Sequence, residues 1–107
     1  MIKVVLSPQA SADMREIGDY IAHDKGNPNA ARRLIRQFRE SIARLARFPE
    51  MGSPLNAEGR QTVIYRYLVC GSHLVFYHIG ECVMVDRVLY GRRDYLALLF
   101  GDQLEEE

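Results

Sequence analysis

A long run of apolar residues at helical spacing, placed between two prolines, dominates this sequence. The run begins after Pro28 and ends at Pro49. Proline is tolerated at the first position of a helix and stops a helix when it comes later. The apolar positions recur every three or four residues, as one buried helix face requires. These positions are Ala31, Leu34, Ile35, Phe38, Ile42, Leu45 and Phe48. The opposite face carries Arg32, Arg33, Arg36, Arg39, Glu40, Arg44 and Arg47. The pattern predicts one helix up to Pro49, buried on a single side.

A second helix is predicted directly before this one. Ser7 can cap a helix N terminus, and Pro8 suits the first helical position. Apolar residues follow at helical spacing, and Gly26 is a suitable stop. These apolar residues are Ala10, Met14, Ile17 and Ile21. Because the connection to the next helix is so short, we expect the two helices to form an antiparallel hairpin.

Strands are predicted on both sides of the helical hairpin. The apolar run over residues 2–6 has the length of a strand. After the second helix, three β-rich segments are separated by two-residue turns at Gly71-Ser72 and Gly80-Glu81, which predicts an antiparallel meander. These segments are about residues 62–70, 73–79 and 82–90. The stretch 50–60, with its prolines and glycines, is predicted to be a loop. The order of elements predicts an α+β fold with the hairpin on one face of the sheet.

Length and composition fit one domain. The chain has 107 residues, of which 48% are hydrophobic, which is enough for a core without disulfides or metal. We predict a single domain over residues 1–100 that ends in a short helical turn at 96–100, and a disordered acidic tail over 101–107.

A cytoplasmic location is expected, because no apolar run approaches the roughly 18 residues of a membrane span and the N-terminal run is too short for a secretion signal. Cys70 and Cys82 would be reduced thiols there. No cysteine and histidine cluster has metal-ligand spacing, so no metal and no cofactor is predicted.

The zero net charge conceals an uneven distribution. Of the 14 acidic residues, four lie at positions 102–107, so residues 1–101 carry 14 basic and 10 acidic side chains. Twelve of the basic residues are arginines. Arginine forms bidentate hydrogen bonds with carboxylates and phosphates, which suits an acidic protein partner at least as well as nucleic acid. Genomic composition bias is the alternative explanation.

Four short stretches, in their order and spacing, resemble the ParE-like branch of the RelE/ParE superfamily of bacterial toxins. The first comprises Leu6-Ser7-Pro8-Gln9-Ala10, Asp13, Ile17 and Tyr20-Ile21. The second comprises Ile42, Leu45, Phe48-Pro49 and Gly52. The third is Leu74-Val75-Phe76-Tyr77, and the fourth is Arg87-Val88-Leu89-Tyr90-Gly91-Arg92-Arg93-Asp94. The resemblance covers about residues 2–99.

This resemblance implies a toxin that a cognate antitoxin neutralises, the disordered C-terminal part of the antitoxin wrapping the toxin and folding on it. ParE-type toxins inhibit DNA gyrase, whereas RelE-type toxins of the same fold cut mRNA in the ribosome, so the fold alone does not decide the activity. The implied assembly is a hetero-oligomer with antitoxin that reaches DNA only through the antitoxin and involves no membrane. A degenerate toxin that only binds antitoxin and modulates operon repression is a third hypothesis.

For the gyrase contact, the resemblance points to the C-terminal segment. The corresponding residues are Arg87, Tyr90, Arg92, Arg93, Asp94 and Tyr95. For the antitoxin, we expect an amphipathic helix, and an added strand at a sheet edge, to dock on the hairpin and the sheet. The predicted antitoxin contacts on the long helix are Arg32, Arg36, Arg39 and Phe38. The alternative is that this arginine face is only solvated.

A metal-independent endoribonuclease would instead need an acid, a base and cations close together. The candidates for that alternative are Arg66, Arg87 and Tyr90. On a regular strand Arg87 and Tyr90 point to opposite faces, and only a β-bulge near Gly91 would bring them together. His73 and His78 also differ in parity, so an acid–base couple between them is not expected.

The same alternation places Arg87 on one face with Val83, Val85 and Leu89, where an arginine is either ion-paired or part of a site. A sequence pI near 6.8 is also unfavourable for a protein that works on RNA. Of the two activities that the resemblance implies, we therefore favour gyrase inhibition, with no catalytic residues, over the nuclease.

Overall fold

The computed structural model describes residues 1–55 and 65–91 of the chain. Within these ranges two helices, a π-helical turn and five strands follow one another along the chain. They are β1 (Val4–Leu6), α1 (Pro8–Asp19), the π-turn (Tyr20–Asp24), α2 (Pro28–Arg44), β2 (Ser53–Leu55), β3 (Tyr65–Cys70), β4 (His73–Ile79) and β5 (Val83–Tyr90). The α+β prediction is confirmed. The predicted helical turn at 96–100 and the acidic tail lie outside the described residues.

Both helices begin where their capping residues predict. The Ser7 hydroxyl accepts a hydrogen bond from the Ala10 N–H at 2.9 Å. The Asn27 side chain accepts one from the Ala30 N–H at 3.0 Å. The long helix, however, ends sooner than predicted. After Arg44 the backbone closes into tighter turns, with the Leu45 N–H donating to the Ile42 carbonyl at 3.0 Å. Phe48 consequently leaves the buried face and is 58% exposed.

The sheet has the strand order β1-β5-β4-β3-β2. The predicted meander of β3, β4 and β5 is confirmed, and β1 adds to it in parallel beside β5. The prediction of a loop over 50–60 was wrong at Ser53–Leu55, which pairs with β3. Pro54 has no N–H to donate, so this segment looks like a loop in the sequence. A strand that contains such a proline is expected at the edge of a sheet, where β2 lies. The predicted turn at Gly80-Glu81 also includes Cys82, whose carbonyl accepts from the Gly80 N–H at 2.8 Å.

A β-bulge interrupts the alternation of β5. Phe76 pairs with Arg87 and Tyr77 pairs with Val85, which leaves Asp86 as the extra residue. One extra residue in a strand moves the side chain of every later residue to the opposite face of the sheet from the one that regular alternation predicts. The prediction that Arg87 shares a face with Val83 and Val85 was therefore wrong, whereas Arg87 and Tyr90 do lie on opposite faces.

The main core lies between the helical hairpin and one face of the sheet. Its buried members are Ala10, Met14, Phe38, Ile42, Leu45, Cys70, Val75, Tyr77, Val83, Val85 and Val88. A smaller cluster on the other face contains Leu55, Leu74 and Phe76. Cys70 is buried and Cys82 is half-buried, and the two are not joined by a disulfide. In the described part of the chain, no helix has the length and hydropathy to cross a membrane.

Candidate functional site

Asp13 joins α1 to the end of β5. The Arg87 guanidinium donates from Nε to Asp13 Oδ2 at 2.8 Å and from Nη2 to Oδ1 at 3.0 Å. The Val88 N–H donates to Oδ2 at 2.9 Å. Pairing of β1 with β5 stops at Leu6 and Val85, so the Asp13 carboxylate replaces the missing strand as the partner of Val88. The hydrogen bond to Asp13 raises the pKa of Arg87.

This arrangement connects the first and last of the four stretches that carry the resemblance. Asp13 lies in the first and Arg87 in the fourth. Sequence reasoning gave Asp13 no role, although a carboxylate beside Met14 on the apolar stripe of α1 was a usable signal. Because both guanidinium donors of the pair are engaged, Arg87 is oriented by α1 rather than projecting freely.

A cleft of about 690 Å³ lies between α1 with its π-turn and the end of β5. Its apolar lining consists of Ile17 and Ile21 from the helical side and Val88 and Leu89 from the strand. Two tyrosines also line it, and both are solvent-exposed. Tyr20 of the π-turn is 52% exposed and Tyr90 at the end of β5 is 73% exposed. Tyr90, which was predicted as a site residue, thus forms one wall of the cleft. Tyr20 forms the other wall, and the sequence analysis had given it no role at this site.

His73 lies behind Tyr90. Its ring makes edge contacts with the rings of Tyr90 and Phe38, each with centroids 5.4 Å apart. Nδ1 of His73 is buried and, within the described structure, has no hydrogen-bond partner. Burial lowers the pKa of His73, so this imidazole is neutral near pH 7 and supports Tyr90 by packing.

His78 lies on the opposite face of the sheet, as its parity predicts. Its Nδ1 is 2.8 Å from Oδ2 of Asp86, the residue of the bulge. Burial raises the pKa of Asp86, and the hydrogen bond from His78 opposes this. The two histidines therefore belong to different environments and do not form a couple.

The three candidate nuclease residues do not come together. Arg66 donates to the backbone carbonyls of Gly52 at 2.9 Å and Glu50 at 3.2 Å. Along β4, Arg66 pairs with Tyr77 and Tyr90 pairs with His73. These partners are four residues apart, roughly 13 Å along a strand. Arg87 is hydrogen-bonded to Asp13 and lies on the face of the sheet opposite Tyr90. The three residues therefore do not form a site in which an acid, a base and a cation lie close together.

A groove along the helical hairpin is formed by two adjoining depressions that share Gly18, Ile35 and Arg39. Ile35 and Gly18 line it between the helices. Four arginines surround it: Arg15, Arg32, Arg36 and Arg39. Among the described residues, the carboxylates within 4.0 Å of a basic side chain are Asp86, beside His78, and Asp13, beside Arg87, so none of these arginines has a carboxylate partner. The Arg32 side chain donates to the Asn29 side chain.

Phe38 does not belong to this groove. It is fully buried in the main core, because it is on the side of α2 that faces the sheet. The prediction that Phe38 contacts the antitoxin was therefore wrong. Ile35 is the apolar residue that sequence reasoning missed; it lies one turn earlier and lines the groove.

The groove and the cleft lie on opposite flanks of α1. The groove uses Arg15 and Gly18, whereas the cleft uses Glu16 and Ile17. At the end of β5, Gly91 has a positive φ of 67° and its N–H donates to the Ser72 carbonyl at 2.8 Å. The remaining candidates, Arg92, Arg93, Asp94 and Tyr95, lie outside the described residues.

Comparison with known proteins gives consistent results. The family model described as "ParE toxin of type II toxin-antitoxin system, parDE" matches residues 4–95. Toxin ParE1 of Caulobacter vibrioides is 35% identical over 85 residues, which cover 79% of this chain and 84% of that protein. Toxin ParE1 of Mycobacterium tuberculosis is 36% identical over 94 residues, which cover 86% of this chain and 92% of that protein.

Solved structures show the same fold. A chain from the chromosomal ParDE TA system of P. aeruginosa aligns with a TM-score of 0.67 at 18% identity, covering 86% of this chain and 98% of that one. The YoeB dimer from Staphylococcus aureus gives a TM-score of 0.52 at 17% identity, covering 85% of this chain and 98% of that one. Because the family model matches most of the chain and two curated relatives exceed 30% identity, the chain belongs to the ParE toxin family of type II toxin–antitoxin systems.

Proposed function

We propose that this toxin inhibits DNA gyrase in the cytoplasm by binding it, without catalysis, through the end of β5 and the residues that follow. The observation that carries the proposal is the contrast between Arg87, which is hydrogen-bonded within the chain, and Tyr90, which is exposed. Its guanidinium is held by Asp13 in a bidentate pair, while Tyr90, three residues on, is 73% exposed beside an apolar cleft. Such a surface suits binding to a protein better than proton transfer.

We further propose that the arginine groove of the hairpin receives the cognate antitoxin. Arg15, Arg36 and Arg39 line the groove around Ile35, together with one acidic residue, Asp19. The three arginines have no carboxylate partners within the described ranges. An antitoxin helix with apolar residues on one side and acidic residues at its margins would fit this groove. The resulting hetero-oligomer would contact DNA through the antitoxin rather than through this chain.

The test is a paired assay on the purified toxin. One arm follows supercoiling by gyrase and the trapping of gyrase–DNA cleavage complexes. The other arm follows mRNA cutting on translating ribosomes. We expect inhibited supercoiling and trapped cleavage complexes with intact mRNA, and we expect both gyrase effects to disappear when the antitoxin is added in excess.

Two results would contradict the proposal. Codon-phased mRNA cleavage with fully active gyrase would identify a ribosome-dependent nuclease, and Arg66, Arg87 and Tyr90 would be the residues to replace first. No effect in either arm, combined with tight antitoxin binding, would identify a degenerate toxin that acts only as an antitoxin-binding module.

A further inference from the structure

We propose that the cleft between α1 and β5 receives an apolar side chain of the protein that this toxin poisons, and that Tyr20 contacts this target together with Tyr90. The inference rests on the proposed function in one respect, namely that the chain acts by binding a protein target. It adds a residue of the π-turn to a surface that the resemblance confines to the end of the chain.

The exposure of the two tyrosines is the first argument. Tyr20 and Tyr90 face the same cleft from its helical and strand sides while 52% and 73% of their surfaces remain exposed. Between them the lining is made of Ile17, Ile21 and Leu89. Exposed aromatic residues around an apolar depression are typical of the centre of a protein–protein interface, where tyrosine is enriched among the residues that dominate binding.

Both tyrosines are also held in place before any partner binds. The Lys25 ammonium lies 5.8 Å from the centre of the Tyr20 ring, at cation–π distance. Tyr20 also begins a π-helical turn, a rare geometry that is frequent at functional sites. On the strand side, Tyr90 packs against the edge of His73, which in turn packs against Phe38 of the core. Preorganised side chains lose less entropy on binding.

The charge of the cleft indicates the kind of occupant. Among its described lining residues, Asp13 and Glu16 are acidic and Lys25 and Arg87 are basic, so the lining carries no net charge. Asp13 and Arg87 neutralise each other directly. Phosphate contacts dominate nucleic-acid binding and need an excess of cations, which this cleft does not offer. A neutral, apolar depression with aromatic walls fits an apolar side chain from a protein.

The position of the cleft separates it from the arginine groove. Residues on opposite flanks of α1 line the two depressions. A change at Tyr20 therefore removes part of the proposed target surface and leaves the side chains around Ile35 and Arg39 in place. Toxicity and antitoxin binding should respond differently to the same substitution.

The test compares Tyr20→Ala and Tyr90→Ala with Phe48→Ala as the matched control. Phe48 is an aromatic residue that is 58% exposed and does not line the cleft. Tyr20→Glu is a second variant that places a charge in the apolar depression. Each full-length protein is assayed for growth arrest on controlled expression, gyrase inhibition, antitoxin affinity and melting temperature.

We expect Tyr20→Ala and Tyr90→Ala each to raise the toxin concentration for half-maximal gyrase inhibition by at least about tenfold. Tyr20→Glu should abolish growth arrest, while Phe48→Ala and all antitoxin affinities stay within about twofold of the wild type. If Tyr20→Ala and Tyr20→Glu behave like Phe48→Ala, or lose antitoxin affinity in parallel with activity, the proposal is overturned.

The two readouts of activity distinguish the inference from the proposed target. A wild-type toxin that arrests growth without inhibiting gyrase would refute gyrase as the target, and the growth-arrest comparison would then decide the role of Tyr20. A wild-type chain that does not arrest growth would refute both. If the toxin cuts mRNA and Tyr20→Ala reduces the cutting, the occupant is a nucleic acid and the inference is wrong.

Discussion

Asp13 satisfies three donors at a point where the sheet has lost its neighbouring strand. Two hydrogen bonds come from the Arg87 side chain and one from the Val88 backbone. The side chains of Asp13 and Arg87 are 10% and 21% exposed. Removing either partner would therefore leave the other as a poorly solvated, unpaired charge and lower the free energy of unfolding. This single side chain thereby satisfies the free edge of β5 at Val88 and, with Arg87, forms part of the cleft lining.

Asp13→Ala should lower the free energy of unfolding by about 2–4 kcal/mol, because it leaves a buried N–H and a partly buried guanidinium without partners. Asp13→Asn can keep its oxygen as the acceptor for Val88 and Arg87 Nε, but it loses the charge and turns the acceptor for Arg87 Nη2 into an NH2 donor. Because one acceptor remains, we expect a smaller loss than from Asp13→Ala. Urea denaturation of the two variants measures the difference. Equal stability of Asp13→Ala and the wild type would show that the carboxylate contributes nothing to the fold.

Burial of His73 makes stability depend on pH. It lowers the pKa of His73 below its ordinary value of 6.5. The unfolded chain therefore binds a proton at this histidine at a higher pH than the folded chain, and the free energy of unfolding should fall as the pH drops below about 6.5. His73→Phe keeps a ring between Phe38 and Tyr90 and should flatten this fall, which thermal melts across the pH range measure. Replacing the exposed His23 by Phe is the control, and an equal flattening there would contradict the assignment to His73.

The segment after α2 is fixed by a close backbone approach at Gly52. The Tyr77 hydroxyl donates to the Pro49 carbonyl at 2.7 Å and accepts from the Gly52 N–H at 2.9 Å. A Cβ on Gly52 would lie 2.6 Å from that hydroxyl and 2.8 Å from the Tyr67 carbonyl. This contact explains in physical terms why a glycine stands at position 52 in the second stretch of the resemblance.

Gly52→Ala should therefore destabilise the protein by about 1–3 kcal/mol through overpacking against backbone. Gly80→Ala is a matched control, because nothing lies within 4 Å of a Cβ at Gly80. Chemical denaturation of both variants compares the two sites. If Gly52→Ala is as stable as Gly80→Ala, the loop is not held by the Tyr77 contact.

The arginine face of α2 makes a prediction about binding. Arg36→Glu combined with Arg39→Glu reverses two charges that surround Ile35, and it should weaken antitoxin affinity by at least about tenfold. Arg33→Glu combined with Arg47→Glu makes the same change in net charge at exposed positions outside the groove. Calorimetric titration with the antitoxin at two salt concentrations measures both. Equal weakening by the two pairs would mean that net charge alone, and not the groove, attracts the antitoxin.

An element could be predicted from the sequence when the residues that determine it lie close together along the chain. Both helix starts were predictable because Ser7 and Asn27 cap their own helices within three residues. The bulge at Asp86 was not, because it depends on how β4 and β5 align and leaves no mark in the alternation of β5 itself. Pro54 concealed β2 for a related reason, since its pairing with Arg66 depends on a distant strand.

The same reasoning applies to the candidate site. The resemblance indicated Arg87 and Tyr90 as site residues, and strand alternation correctly placed them on opposite faces of the sheet. The bond from Asp13 to Arg87 spans 74 positions, so nothing in the local sequence specified it. Phe38 was misassigned because a helical pattern shows that a face is apolar but not which neighbour covers it. The cleft and the groove emerge only when the hairpin is placed on the sheet.

In the assembled molecule, α1 separates a neutral aromatic cleft from an arginine-lined groove, and the end of β5 leads from the cleft into residues 92–107. This arrangement predicts that the toxin uses one surface to inhibit its target and a different surface to bind the antitoxin. We therefore expect an antitoxin bound in the groove to remain bound when the end of the chain is altered.

The most direct test is a comparison of the full chain with a chain truncated after Gly91, in growth arrest, gyrase supercoiling and antitoxin affinity. We predict that truncation abolishes growth arrest and gyrase inhibition while antitoxin affinity, which also reports correct folding, stays within about tenfold of the full chain. A truncated protein that still arrests growth would contradict a target surface at the end of β5 and beyond.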